Sequence, residues 1–229
     1  MKQTLTILSF LTLCLSAAAG AQMRSTSFGY EDVDKRFEKL LGFPAVQGNL
    51  TVNLSCFTQL QSNGKMEETG CYMKDQFDQP FAAAVAQAAK KGRLVPAVID
   101  GKASRVWLQF RVNFNADGDD RRISLYLNPG YEENVKAYGE DHIAGARAFH
   151  KKEKWMQICP RRANFAVWAR AYLGEDGKAD SVSVVHADGI MPTAACQEAI
   201  KQTILSSKYT PAYAEGVPVP STYVEIFGN

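Results

Sequence analysis

Reactive side chains are scarce in this sequence. It holds three histidines in 229 residues, and His142, His150 and His186 do not stand at the spacings that zinc sites use. No Gly-x-Ser-x-Gly elbow, phosphate-binding loop or nucleophile–base pattern is present. A catalytic set scattered along the chain stays open. Net charge is also nearly absent: 26 Lys and Arg against 24 Asp and Glu leave +2. Such a balance supplies no field for nucleic acid or an anionic membrane surface. Long apolar runs are missing too. The longest, Leu5 to Leu15, falls short of the roughly 20 residues that a bilayer span needs. What remains is a globular composition, 46% hydrophobic and 22% charged.

The first residues read as a secretory signal peptide. Lys2 gives a positive start, the apolar run follows, and Ala19-Gly20-Ala21 is a small-x-small cleavage site before Gln22. A retained anchor and a lipoprotein site at Cys14 are the alternatives. With Cys14 removed, Cys56, Cys71, Cys159 and Cys196 remain, an even number in an oxidising compartment. A two-residue turn at Asn63-Gly64 sets Cys56 opposite Cys71 and leaves Cys159 for Cys196. That register places the first pair at a hydrogen-bonded position, where α-carbons lie farther apart, unless a bulge changes the parity. So short a loop would stabilise by roughly 3 kcal/mol. Four buried free thiols are the other reading.

The chain then states one plan twice. Leu50 to Phe110 and Asn164 to Phe227 each give an alternating strand, a Gly turn, a second strand, an Ala-rich helix, a Pro-Ala step, a Gly and a last strand. The turns are Asn63-Gly64-Lys65 and Asp176-Gly177-Lys178, the steps Pro96-Ala97 and Pro211-Ala212, and the glycines Gly101 and Gly216. Repetition of this kind decides architecture before any motif is weighed. The expected fold is α+β, two tandem β-β-α-β units, each a small antiparallel sheet with helices on one face. Residues 1–21 are the signal peptide and 22–130 the first unit with its N-terminal helix and an extra hairpin. A helical connector spans 131–158, and the second unit spans 159–229.

Periodicity places the elements. Val33, Phe37, Leu40 and Leu41 form one stripe on a helix from Tyr30 to Leu41. A second helix runs from Gln79 to Lys91, with Asp78 as N-cap and Phe81, Val85, Ala88 and Ala89 buried. Val106 to Phe114 alternates strictly, and Ile123, Leu125 and Leu127 return from the turn at Asn115 to Gly118. Tyr131 to Trp155 has a charged helical pattern, with His142 and His150 on its solvated face. In the second unit His186 stands opposite Val167. Cys196, Ile200 and Ile204 face the sheet from a helix over Pro192 to Ser206. Asp117, Asp119 and Asp120 hint at a calcium loop but lack its bidentate Glu and fit a hairpin turn better.

These residues resemble the C-terminal domain of TonB-family proteins. In the second unit the resemblance rests on Cys159, Pro160 and Ala163, the Asp176-Gly177 hairpin, Tyr209-Thr210-Pro211-Ala212 and Gly216-Val217-Pro218-Val219. In the first it rests on Phe43-Pro44, Asn63-Gly64, Pro96-Ala97 and Gly101. It implies a two-layer fold, the periplasm of a Gram-negative bacterium, and capture of an extended partner segment by strand addition at a sheet edge. The chain departs from the family pattern in having neither a retained membrane helix nor a Pro-rich spacer.

The expectation is therefore a non-enzymatic, exported protein-binding module without cofactor or metal. Its partner would be a protein or peptide of the periplasm or outer membrane. The expected binding edge is the last strand, Ser221, Thr222, Tyr223, Val224, Glu225, Ile226 and Phe227. The alternatives are a self-assembling protein, such as a homodimer, and an enzyme with its site between the units.

Overall fold

A computed structural model describes residues 23–159 and 165–228, without the side chains of 186–188. The signal peptide, the Gln22 cleavage point, Cys14, Pro160 and Ala163 lie outside the described residues. Helices and antiparallel strands build the chain, which is of the α+β class.

The first sheet contains β1 (Leu50–Leu60), β2 (Met66–Tyr72), β5 (Val106–Asp117), β6 (Asp120–Tyr126) and β7 (Arg147–Ala148), in the order β2-β1-β5-β6 with β7 also on β5. Between its strands come α2 (Gln79–Lys91) and the small hairpin β3 (Val98–Ile99) with β4 (Lys102–Ala103). The second sheet contains β8 (Phe165–Leu173), β9 (Ala179–Gly189) and β12 (Ser221–Gly228), in the order β12-β8-β9. It is interrupted by α5 (Ala194–Ser206) and the hairpin β10 (Ala212–Ala214) with β11 (Val217–Val219). In chain order the two runs share their strands and long helix, while the first adds a 3-10 turn at Gln76–Asp78 and extra strands β6 and β7; β1 lies between β2 and β5, and β8 between β12 and β9.

Each sheet buries one face. Leu54, Cys56, Leu108, Phe110 and Phe114 alternate inward on β1 and β5 and meet Phe37, Phe81 and Val85. Val167, Ala169, Ala171 and Phe227 meet Cys196, Ile200 and Ile204 in the same way. Alternation on the strands and a four-residue step on the helices are what bring these sets together.

The two hairpin glycines are required twice over. Gly64 and Gly177 have φ of +78° and +71°. A β-carbon would stand 2.2 Å from the Leu94 carbonyl at Gly64 and 2.5 Å from the Tyr209 carbonyl at Gly177. Both tips thus tuck beneath the segment that leaves the helix. The second turn is shared as well: Asp100-Gly101 and Glu215-Gly216 each place two residues at positive φ, the geometry that suits a right-twisted hairpin.

Both expected disulfides form, Cys56 with Cys71 and Cys159 with Cys196. The parity question is answered by a bulge. Near the turn Leu60 pairs with Met66 and Gln59 with Glu67, but Phe57 pairs with Gly70. Glu68, at φ +48°, absorbs the extra residue. The cysteines then face each other at 3.9 Å between α-carbons, the short spacing of a non-hydrogen-bonded pair.

Several expected elements differ. The helix over Tyr30 to Leu41 is a 3-10 turn at Val33–Lys35 followed by α1 (Phe37–Leu40). Arg36 between them is extended, and Phe37 N–H bonds the Arg93 carbonyl instead of a helical one. Val33 is consequently exposed. At α2 the Asp78 carboxylate accepts from Lys74 N–H behind it, while Asp75 caps the preceding turn at Phe77 N–H. The helix before Ser206 starts at Ala194, with Thr193 accepting from Cys196 N–H.

The connector is helical only in α3 (Glu132–Tyr138) and α4 (Trp155–Ile158). Between them Ile143 to Ala148 is extended, because its main chain bonds β5 on one side and residues 208–213 on the other. Tertiary pairing overrides the helical charge pattern here.

Candidate functional site

The expected binding edge, β12, is an edge of its sheet, with β8 as its one strand neighbour among the described residues. Tyr223 and Phe227 point into the core, and Ser221 and Thr222 are buried too. Val224, Glu225 and Ile226 are partly exposed.

The side from which β12 is reached is set by strand geometry. Thr222 bonds the Asn134 side chain through both its N–H, at 3.0 Å, and its carbonyl, at 2.8 Å. Its main chain therefore points away from β8, and so do those of Val224 and Ile226, since a strand alternates. The Val224 carbonyl accepts from Gln109 Nε2 of β5. The outward N–H of Val224 and both outward groups of Ile226 have no partner among the described residues. Two carboxamides thus stand where the next strand would lie, and they cover only the first half of the edge.

Two cavities flank the Gln109 bridge, between β12 and the outer face of the first sheet. One, of about 210 Å³, has walls of Phe57, Trp107, Trp155 and Met156 beside Ile226. The other, of about 200 Å³, has Tyr72, Tyr131 and Trp168 beside Val224. Tyr72, Gln109 and Ile226 border both. Trp168 and Tyr172, on the outer face of β8, are about half exposed.

A buried ionic cluster forms the floor of the first cavity. Arg147 of β7 donates to Glu225 of β12 through Nε at 2.7 Å and Nη2 at 2.6 Å. Its Nη1 donates to Glu153 at 2.5 Å and reaches Ser207 Oγ at 3.4 Å. Glu153 also accepts from Trp155 Nε1, and Glu225 from the Tyr223 hydroxyl. Burial opposes the charge of Arg147, but Glu225 and Glu153 together hold its guanidinium above its ordinary value. Burial, and then Glu225, push the Tyr223 phenol well above its ordinary range. On the cavity wall, burial and then Glu225 raise Tyr72. The cluster ties the connector and first sheet to the last strand, and a network with nearly every donor matched is a positioning device.

His142 is not on a helix or a solvated face: it is buried in the turn between α3 and the extended stretch, with Nδ1 2.7 Å from the Gly139 carbonyl. Its Nε2 has no hydrogen-bond partner among the described residues. Burial is the main cause of its lowered pKa, with Arg111 adding to it. His150 is exposed, and the main chain of His186 pairs with Val167 as expected. Asp117 accepts from Asn49 Nδ2, and Gly118 N–H donates back to Asn49, so this segment is an Asn-braced hairpin turn. Among the described residues no three His, Cys, Asp or Glu side chains converge as a metal site would require.

Sequence reasoning missed Gln109, Asn134 and Arg147. Gln109 lies on the outward face of an alternating strand and Asn134 in a helical pattern, where each passes for a solvated polar residue. Arg147 carried no signal of burial. Comparison with known proteins gives no match to any family model, curated protein or solved structure.

Proposed function

We propose that this is a non-enzymatic, exported binding module that takes an extended partner segment by strand addition to β12, in the manner of the TonB C-terminal domain its motifs resemble. One observation carries the reading: the outward N–H of Val224 and both outward main-chain groups of Ile226 are unpaired among the described residues, beside two aromatic-walled cavities. Main-chain pairing supplies affinity in this mode and side-chain pockets supply selectivity. Asn134 closes the edge at Thr222 and Gln109 holds the Val224 carbonyl, so the partner would pair from the Val224 N–H to Gly228. Two disulfides, and the lack of any described helix long and apolar enough to cross a membrane, fit an exported protein. The periplasm is the compartment that the sequence pattern favours.

The test is in-cell photocrosslinking from Val224, with and without Ile226→Pro. The outward Ile226 N–H takes no part in the β12–β8 ladder, so proline there removes the donor a partner would use at small cost to the sheet. A distinct captured protein whose yield collapses with Ile226→Pro supports strand addition. Capture that ignores the proline, or of a second copy alone, refutes it.

A second reading is self-assembly through β9, the other edge of this sheet, which carries Val185 exposed. A dimer mass in solution that Val185→Lys reduces to a monomer would support it.

A further inference from the structure

Resting on the strand-addition reading, we infer that the cavity bounded by Phe57, Trp107, Trp155 and Met156 takes a lysine or arginine side chain of the partner segment. The charge balance of its floor points that way. Arg147 contributes one positive charge and Glu153 and Glu225 two negative ones, and no other charged side chain lines the cavity. Of the three groups Glu225 is the accessible one: its side chain is 16% exposed, against 3% for Glu153 and 0% for Arg147.

Hydrogen-bond capacity agrees. Arg147 has its Nε and both terminal nitrogens engaged. Glu225 Oε2 accepts from Arg147 and Tyr223, whereas Oε1 accepts only from Arg147 Nη2. A carboxylate oxygen has room for a second donor. An incoming carboxylate would find all but one N–H of a buried guanidinium engaged, and two like charges beside it. An incoming cation finds a free acceptor and a net charge of opposite sign.

Strand register sharpens the placement. Glu225 turns its main chain toward β8, so a residue facing it on an added strand forms a non-hydrogen-bonded pair, in which side chains come closest. The aliphatic stem of a lysine or arginine would lie along Trp107 and Trp155, and ring faces favour a cation. The second cavity, lined by Tyr72, Tyr131 and Trp168 without a charged group, makes no such selection.

The experiment is selection of a randomised heptapeptide library, displayed on phage, against the folded protein, Ile226→Pro and Met156→Lys. Met156 lies at the cavity rim, 36% exposed and outside the ionic cluster, so its replacement by lysine adds a charge without unpairing Arg147. Wild type should enrich peptides with Lys or Arg at one fixed position. Synthetic copies of these should lose binding with Ile226→Pro and weaken at least about tenfold with Met156→Lys, because like charges would then be juxtaposed. Peptides that need the free Ile226 N–H but show no basic position, or that bind Met156→Lys equally well, overturn the cation pocket and leave strand addition standing. If no enriched peptide depends on Ile226, strand addition itself fails, and the pocket assignment with it.

Discussion

Asn134 stands beside Thr222 as a neighbouring strand would, donating to its carbonyl at 2.8 Å and accepting from its N–H at 3.0 Å. A carboxamide carries the same donor and acceptor pair as a peptide group, so one side chain satisfies both edge groups of a residue whose surroundings are buried. This protection is local. It ends where the unpaired main chain of Ile226 begins.

Replacing Asn134 with leucine should strand the Thr222 N–H and carbonyl away from water. A loss of about 1–3 kcal/mol is expected for such orphaned groups. Urea unfolding measures the loss, and amide exchange at Thr222 should accelerate while exchange in β8 is little changed. A stability equal to wild type would mean that water replaces the carboxamide freely.

Arg147→Met should be among the most damaging single changes. It leaves Glu153 and Glu225 facing each other without a counter-ion, and breaking a buried pair in this way costs about 3–5 kcal/mol. Adding Glu153→Gln and Glu225→Gln should recover a large part of it. If the triple variant is no more stable than Arg147→Met, the cluster acts through packing and not charge.

His142 should make stability fall on mild acidification. Burial, with Arg111 nearby, holds its folded-state pKa below the ordinary 6.5. The unfolded chain therefore takes up the proton first as pH drops. The contribution of His142 is complete above pH 6.5 and is lost as pH falls through the depressed folded value. Unfolding free energies at pH 7.5 and 5.5 should diverge more for wild type than for His142→Gln. Equal slopes would assign the loss to other groups.

Gly64→Ala and Gly177→Ala should each destabilise by more than Gly101→Ala. All three positions have positive φ, a strain of about 1–3 kcal/mol for a residue with a side chain. At Gly101 the new methyl meets open space, whereas at the other two it meets a carbonyl oxygen. Thermal melts of the three variants give the order directly. A Gly64→Ala protein as stable as Gly101→Ala would show that the hairpin tip can lift from Leu94.

Much of this was legible in the sequence where local chemistry and tertiary demand coincide. Alternation in Val106 to Phe114 gave a buried face that is observed residue by residue. The four-residue steps of Phe81, Val85 and Ala89 and of Cys196, Ile200 and Ile204 did the same for the two helices. A two-residue turn at Asn63-Gly64 paired Cys56 with Cys71, but the turn is one residue longer, with Gln61 bonded to Lys65, and the bulge at Glu68, which nothing in Met66 to Gly70 announces, restores both the pairing and its parity. The failures fall where distant main chain competes for hydrogen bonds. Arg93 breaks the first helix, and residues 208–213 stretch the connector. The last strand was found as an edge, but its partial closure depends on Gln109 and Asn134, and that pairing is set by the packing of one sheet against another.

Among the described elements, β12 is the last to emerge during synthesis, and its absence would be felt in both sheets. Until residues 221–228 arrive, β8 has a bare flank, Asn134 lacks its peptide partner, and Arg147 is matched by Glu153 alone. The first sheet holds the contacts for its own core before then, so it can consolidate early while the second half waits. Any change that unpairs residues 221–228 would therefore act unequally, leaving the core of the first sheet whole while it opens the flank of β8 and takes one of two carboxylates from Arg147.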